Sequence, residues 1–357
     1  VKTMKKLVLF SLFLAAVVIV LGAYTRLTDA GLGCPDWPGC YGHLTVPTSE
    51  AKIDAANQAF PHRPVETHKA WNEMIHRYFA GALGLCILAI ATLAVIKRKE
   101  GTPVKLPLLL LALVTFQAVL GMWTVTLNLL PVVVMGHLLG GFSVIACLYL
   151  LYLRLPTSGE HRRVTQPKGL RQLGFASALA VMILVAQIAL GGWTSANYAA
   201  LACTDMPICE DGWQQRLDFS GAYTIPEADN YEYGAHDYGQ RMTMHIVHRA
   251  GALITCAYLL FFAILCLRHS ASGQLKKGVG VMLTALCAQV ALGVSNVVLS
   301  LPLFVAVAHN AVAAILLLCL VGLTWKVHTL QASHRLFSSR PSSSYSLNAG
   351  RLRGHYG

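Results

Sequence analysis

The sequence CPDWPGC at residues 34–40 recurs as CTDMPIC at residues 203–209, and this pair of segments decides the fold. Both match C-x-D-x-P-x-C, and Gly22 and Gly191 are separated by the same distance along the chain as Cys34 and Cys203. Beyond the two segments the separation between equivalent residues of the two copies becomes slightly longer, and it then stays constant. The pairs that keep it are His76-Arg77 with His248-Arg249, Gln117 with Gln289, and His137 with His309. A steady period of this kind indicates an internal duplication.

The composition places the duplicated unit in a lipid bilayer. Of the 357 residues, 55% are hydrophobic and only 12% are charged, whereas a soluble domain carries roughly a quarter charged residues. Eight apolar runs reach about the 20 residues that a helical span needs. They cover 7–25, 70–96, 106–127, 131–153, 172–195, 242–267, 278–299 and 302–327. The sequence therefore predicts an all-α polytopic membrane protein with eight transmembrane helices.

Each copy of the repeat contains four predicted spans. Because four is even, both copies enter the membrane in the same direction, which makes this a parallel repeat about an axis along the membrane normal. We predict four parts: an N-terminal four-helix bundle at 1–155, a linker at 156–171, a C-terminal four-helix bundle at 172–328 and a disordered tail at 329–357.

The net charge of +12 suggests a nucleic-acid ligand only until the charges are placed. Most Lys and Arg residues fall before the first span, after the last, or in the three connections on the same side of the membrane. The positive-inside rule makes that side cytoplasmic. Both termini are therefore predicted to be cytoplasmic, with two large outer loops at 28–69 and 197–240, and no nucleic acid is expected to bind.

Histidines lie at matched depths in the predicted spans. His76 and His137 are both roughly 10 Å below the outer ends of their helices, and His248 and His309 repeat them. Zinc sites usually need three or four protein ligands, whereas a low-spin heme takes two axial ligands. Each half is therefore predicted to hold a heme, although a single membrane histidine can also serve as a packing residue.

The neighbours of these histidines distinguish the two halves. Glu73 stands three residues before His76, where the second half has His245 before His248. A carboxylate inside a membrane is costly and suggests a role in proton transfer or in stabilising positive charge. The alternative is a carboxylate bonded to a polar neighbour or hydrated at the helix end. Arg77 and Arg249 are candidates for contacts to heme propionates, or are plain interface anchors.

Four of the ten cysteines lie in the predicted outer loops: Cys34, Cys40, Cys203 and Cys209. Disulfides persist in an oxidising compartment, so each loop is expected to close a disulfide. The bridge is either a structural staple or a redox-active pair, and a metal site is less favoured because no matched histidines adjoin it.

These motifs, taken together, resemble the heme A synthase family of bacterial and mitochondrial inner membranes, in the bacterial form with both cysteine pairs. The resemblance spans residues 7–328. It is carried by GAYTRLTDAGLGCPDWPGC at 22–40, EMIHR at 73–77, Gly136-His137, H-x-x-HR at 245–249 and His309-Asn310.

The resemblance implies oxidation of the C8 methyl of heme O to a formyl group through a hydroxymethyl intermediate. It implies a heme b cofactor held by His248 and His309, and heme O held between His76 and His137 with Glu73 near the reacting methyl. It further implies a place in the bacterial inner membrane, with heme O synthase and cytochrome oxidase assembly factors as partners. A homo-oligomer is compatible with it.

Two other classes of protein fit parts of the pattern. A b-type cytochrome in quinol-linked electron transfer would hold two permanent hemes, and a heme transporter or chaperone would also suit a parallel repeat. Neither gives a role to the difference between Glu73 and His245, which is therefore the discriminating feature.

Overall fold

The computed structural model describes residues 2–155, 170–269 and 273–338, and all eight predicted spans are helical there. The α-helices are α1 Lys2–Leu27, α2 Glu50–Ala59, α3 Thr67–Ile96, α4 Lys105–Thr126, α5 Pro131–Arg154, α6 Leu170–Ala196, α7 Tyr238–His269, α8 Gly273–Val298 and α9 Leu303–Ser338. Two short 3-10 helices cover Arg98–Glu100 and Trp213–Arg216. In the described ranges, all the α-helices except α2 are long and apolar enough to cross a bilayer. The predicted all-α, multi-pass membrane fold is confirmed.

Two boundaries differ from the sequence-based prediction. Helix α2 lies inside the first long loop and is not predicted by hydropathy, because its ten residues are mostly polar or small. Helix α9 continues to Ser338 and so extends past residue 328, the predicted end of the C-terminal bundle. No Gly or Pro interrupts residues 329–338, and the next proline is Pro341. The rest of the predicted tail and nearly all of the predicted linker at 156–171 lie outside the described residues.

The helices pack as two equivalent sets. Helices α1, α3, α4 and α5 contact one another, and α6, α7, α8 and α9 repeat the same contacts. Between the sets, α1 packs on α9, α6 packs on α5, and α5 packs on α9. If each helix is exchanged with its equivalent in the other set, the same contacts between the sets result. This pattern is that of a pseudo-two-fold axis between α5 and α9, as expected for a parallel repeat.

The repeat extends to the backbone of the helical hairpins. The turn between α4 and α5 places Asn128 and Leu129 in the left-handed region, with φ of 47° and 63°. Ser300 and Leu301 have φ of 56° and 62° in the turn between α8 and α9. Left-handed backbone is uncommon outside glycine, so two such residues at equivalent positions reflect one inherited turn.

Each set of helices has its own hydrophobic core toward the ends away from the long loops. In the first set it includes Met4, Ile90 and Leu151, and in the second Leu173, Phe262 and Leu320. Large apolar side chains on the outer surface, such as Phe13 and Leu253, are exposed as expected for contact with lipid acyl chains. The histidines lie between these cores and the two long loops. We call residues 28–66 loop 1 and residues 197–237 loop 2.

Candidate functional site

The two predicted histidines of the first half face each other. His76 on α3 and His137 on α5 have ring centroids 6.4 Å apart and ring planes at 81°. Two imidazoles on one metal ion need centroids about 6 Å apart, given metal–nitrogen bonds of about 2 Å and about 1 Å more to each ring centre. Nδ1 of each ring is buried without a hydrogen-bond partner. This pair therefore fits axial ligation of a heme iron.

The second half presents its histidines differently. Nδ1 of His248 on α7 lies 3.0 Å from the side-chain amide nitrogen of Gln187 on α6. Nε2 of His309 on α9 lies 3.3 Å from the amide nitrogen of Gln289 on α8. Nδ1 of His309 is buried without a partner. Both rings thus carry a contact to a glutamine side chain, whereas His137 in the first half is bonded by the backbone of Gln117.

A glycine on the adjacent helix contacts each of the four histidine rings. A methyl group added at Gly22 or Gly191 would come within 3.0 Å of Cε1 of His76 or 2.9 Å of Cε1 of His248. The same test at Gly121 and Gly293 gives 3.4 Å to His137 and 3.1 Å to His309. The missing side chains therefore create the space in which the rings are packed. The repeat singled out Gly22 and Gly191, but only the fold reveals which residue each of the four glycines contacts.

Glu73 is buried one helical turn before His76, and its carboxylate has specific partners. The backbone N–H of Cys34 donates to Oε2 at 2.8 Å, and the Arg77 guanidinium donates to Oε1. Its side chain is only 6% exposed. The carboxylate is therefore paired with charge and hydrogen bonds, as a buried carboxylate must be, and is held against loop 1.

His245 takes the place of Glu73 in the second half. It is also buried, and Nε of Arg249 donates to its Nε2 at 3.4 Å. Its Nδ1 has no hydrogen-bond partner. The same position on the same helix face thus carries a carboxylate in one half and an imidazole in the other.

The arginines that follow the histidines fasten the cysteine loops. Arg77 donates to the carbonyl oxygens of Asp36 at 3.0 Å and Pro38 at 3.3 Å. Arg249 donates to those of Asp205 at 2.8 Å and Cys203 at 2.6 Å. The sequence left contacts to heme propionates and a role as interface anchors both open for these arginines, and in the structure both guanidinium groups bond to loop carbonyls.

The two expected disulfides are present. Cys34 bonds to Cys40, and Cys203 bonds to Cys209, with Cα–Cα distances of 4.8 and 5.2 Å. The carboxylate of Asp36 accepts from the backbone N–H groups of Tyr41 at 2.6 Å and Gly42 at 2.7 Å, which completes the first turn. Bonding to each other makes the loop sulfurs unavailable as metal ligands.

Tyr41 anchors the disulfide turn in the interior of loop 1. Its hydroxyl donates to the carbonyl oxygen of Pro64 at 3.2 Å, and its ring meets Phe60 edge-on at 5.6 Å. Burial raises the pKa of Tyr41 to about 12, so the phenol remains a hydrogen-bond donor even in moderately alkaline solution.

Loop 2 extends from the second half onto the first. The backbone N–H of Tyr231 donates to the carbonyl oxygen of Asn128 at 3.0 Å, and the Asn128 amide donates to that of Asp229 at 2.9 Å. A surface cavity of about 440 Å³ lies at this junction. Its lining includes Leu32, Pro35, Phe60, Arg63, Val125 and Asn230. It opens beside the disulfide turn that contacts Glu73.

Comparison with known proteins places the chain in a family. The family described as cytochrome oxidase assembly protein, COX15-CtaA, matches residues 5–321. The chain belongs to this family.

Several proteins named heme A synthase are similar to this chain over most of their length. A protein of Shewanella oneidensis named heme A synthase is 49% identical over 317 residues, which are 88% of this chain and 94% of that protein. A heme A synthase of Flavobacterium psychrophilum is 27% identical, over 85% and 92% of the two chains. One from a Chelativorans species is 28% identical, over 84% of each. The resemblance found in the motifs is thereby confirmed.

Proposed function

We propose that this chain is a heme A synthase, an oxidoreductase that converts the C8 methyl of heme O to a formyl group through a hydroxymethyl intermediate. The observation that carries the proposal is the buried Glu73 beside a histidine pair with the spacing of axial ligands. The names of the relatives support the same activity.

The two halves have different tasks in this proposal. His76 and His137 hold the iron of the substrate heme O, and the distance between their rings supports this role. His248 and His309 hold heme b, and a glutamine side chain lies within 3.3 Å of each ring. When bound, heme b supplies one-electron transfer to or from the neighbouring site.

Glu73 acts on the substrate. Removing electrons from a methyl group on the porphyrin edge develops positive charge on that carbon, and a fixed carboxylate in a site of low polarity stabilises it. The hydrogen bond from Cys34 and the ion pair with Arg77 hold the carboxylate in place before substrate arrives. His245 offers no negative charge at the equivalent position, which restricts this chemistry to the first half.

The cellular setting follows from the same assignment. In this proposal the chain lies in the bacterial inner membrane with both termini in the cytoplasm, as the distribution of Lys and Arg favours. Heme O synthase would deliver the substrate, and cytochrome oxidase assembly factors would receive the product.

Replacing Glu73 by Gln tests the proposal in full-length protein made in cells that co-produce heme O synthase. Removing one electrostatic group from an active site lowers turnover by about 100-fold or more. We expect Glu73→Gln to abolish heme A while bound heme b stays at the wild-type level, as measured by reversed-phase chromatography of extracted pigments.

A matched control is available in loop 1. The carboxylate of Glu66 is 54% exposed, so Glu66→Gln should leave both pigments unchanged. Wild-type heme A production by Glu73→Gln would remove its catalytic role. Two equivalents of heme b and no heme A in the wild-type protein would favour the b-type cytochrome instead.

A further inference from the structure

Gln187 is a polar residue on the apolar helix α6 that the chemistry described so far does not require. Its amide nitrogen lies 3.0 Å from Nδ1 of His248 and 3.0 Å from the carbonyl oxygen of the same residue. Its amide oxygen is buried without a partner. The side chain thus ends against the non-ligating edge of one proposed axial imidazole.

The first half lacks this contact. In the alignment of the repeats that pairs Gly191 with Gly22, Gln187 corresponds to Val18. Val18 offers the His76 ring its backbone carbonyl and no side-chain donor or acceptor. Nδ1 of His76 is buried without a partner.

A second position has changed together with Gln187. A methyl group at Gly251 on α7 would overlap the amide oxygen of Gln187, so this glycine makes room for the glutamine. In the alignment that pairs His248 with His76, Gly251 corresponds to Phe79 on α3, which is 40% exposed. Gln187 and Gly251 in the second half thus stand at the positions of the apolar residues Val18 and Phe79 in the first half.

The helices α5 and α9, which carry His137 and His309, show a related difference. Gln117 and Gln289 are repeat-equivalent, but a methyl group at Gly140 on α5 would overlap the Gln117 amide. Gln117 therefore lies over that glycine, and its amide nitrogen is unpartnered. Val312 stands at the position equivalent to Gly140, and Gln289 contacts His309 instead.

We infer that Gln187 is a positioning residue that makes the second half a resident heme site, while its absence leaves the first half open to exchange. The inference rests on the proposed function, since it assigns His248 to the bound heme and His76 to the substrate. Partners of the non-ligating imidazole nitrogen fix the orientation of a ligand and raise its basicity.

The contact between Gln187 and His248 matters chemically because it determines which imidazole nitrogen carries the proton. A neutral histidine that binds iron through Nε2 carries its proton on Nδ1 and needs an acceptor there. A half turn of the Gln187 amide brings its unpartnered oxygen to that position and gives up the hydrogen bond from its nitrogen to the His248 carbonyl oxygen. The hydrogen bond then holds the tautomer that leaves Nε2 free for iron.

Two substitutions of nearly equal length test the inference in the purified full-length protein with heme b bound. Gln187→Met removes the acceptor, and Gln187→Glu strengthens it. We expect Gln187→Met to release heme to excess apomyoglobin about ten times faster than wild type and to shift the heme b midpoint potential to a more positive value. Gln187→Glu should shift the potential to a more negative value, because a more basic imidazole favours ferric iron.

Ser177→Ala is the control, because Ser177 is a buried polar residue of the same helix whose hydroxyl donates only to its own helix at Gly174. It should leave both quantities unchanged. Equal potentials in the wild type, Gln187→Met and Gln187→Glu, or shifts of both variants in one direction, would overturn the inference, since a merely structural role has no reason to give opposite signs.

Heme A production by the wild-type protein is measured on the same preparation. If heme b is bound but no heme A forms, the proposed function fails, whereas the two potentials still decide the role of Gln187.

Discussion

At the residue scale, the four histidines depend on the glycines packed against them. A methyl group at Gly191 would lie 2.9 Å from Cε1 of His248, closer than carbon atoms normally approach, and one at Gly22 would lie 3.0 Å from His76. Either ring must move to relieve the contact, and overpacking of this kind costs about 1–3 kcal/mol.

The two substitutions should have separable effects. Gly191→Ala should lower bound heme b, and Gly22→Ala should lower heme A formation while heme b is retained, both measured by pigment chromatography. Gly84→Ala on α3 is the control, since nothing lies within 4 Å of the added methyl group. Equal losses in all three variants would mean that the glycines serve only the helices.

At the scale of elements, the disulfide turn of loop 1 is part of the site because Cys34 donates to Glu73 and Arg77 bonds both the turn and the carboxylate. We expect the double variant Cys34→Ser/Cys40→Ser to make less heme A than wild type but more than Glu73→Gln, because Arg77 still holds the turn.

The repeat supplies a comparison for this experiment. Cys203→Ser/Cys209→Ser removes the equivalent disulfide in the second half, where no catalytic carboxylate is proposed. This variant should lower the amount of retained heme b, and not the rate of heme A formation per bound heme b. If Cys34→Ser/Cys40→Ser makes no heme A, and no other change in the turn restores it, the result would favour a redox-active disulfide over a structural one.

Loop 2 contains a pH-sensitive contact at His236. The ring is buried, lies 3.1 Å from the carbonyl oxygen of Thr224, and packs near Trp193 with centroids 6.4 Å apart. Burial lowers the pKa of His236 from its usual value of 6.5. Near and below pH 6.5 the unfolded loop therefore binds more protons than the folded loop. The stability of the folded loop is constant at higher pH and falls as the pH drops through 6.5.

This effect is measurable as a difference between variants. Between about pH 7.5 and 5.5, the interval in which an ordinary histidine titrates, the wild-type melting temperature should fall more than that of His236→Phe. Parallel curves for the two proteins would show that His236 does not contribute to the pH dependence.

At the scale of the whole molecule, Arg26 connects the two halves beside the loops. From the end of α1 it donates to the carbonyl oxygens of Ser195 at 2.9 Å and Ala196 at 3.3 Å at the end of α6. Its guanidinium also lies 3.9 Å from the ring centre of Tyr198. A cation at a helix C-terminus interacts favourably with the helix dipole.

Removing this contact should loosen the interface between the halves. We expect Arg26→Ala to destabilise the protein by about 1–2 kcal/mol, seen as a lower melting temperature in detergent. Arg216→Ala, which breaks an ion pair whose arginine side chain is 49% exposed, should change it by less than about 1 kcal/mol. Equal effects would show that Arg26 is only a surface charge.

The sequence by itself determined the membrane class, the eight spans, the parallel repeat and the paired cysteines. These features are local or periodic: span length follows from bilayer thickness, and duplicated motifs keep a constant separation whatever the fold. The repeat also singled out Glu73 against His245 and the four histidines. The extension of α9 beyond residue 328 is not predicted by hydropathy, because a polar helix end carries no apolar signal.

The tertiary structure decided which residues meet. The glycines packed on the histidines, the attachment of Arg77 to the disulfide turn and the contact of Gln187 with His248 join residues far apart in the chain. Their spacing depends on how the helices pack around the pseudo-two-fold axis. Repeat periodicity identifies equivalent positions, but only packing brings a side chain of one helix against the ring of another.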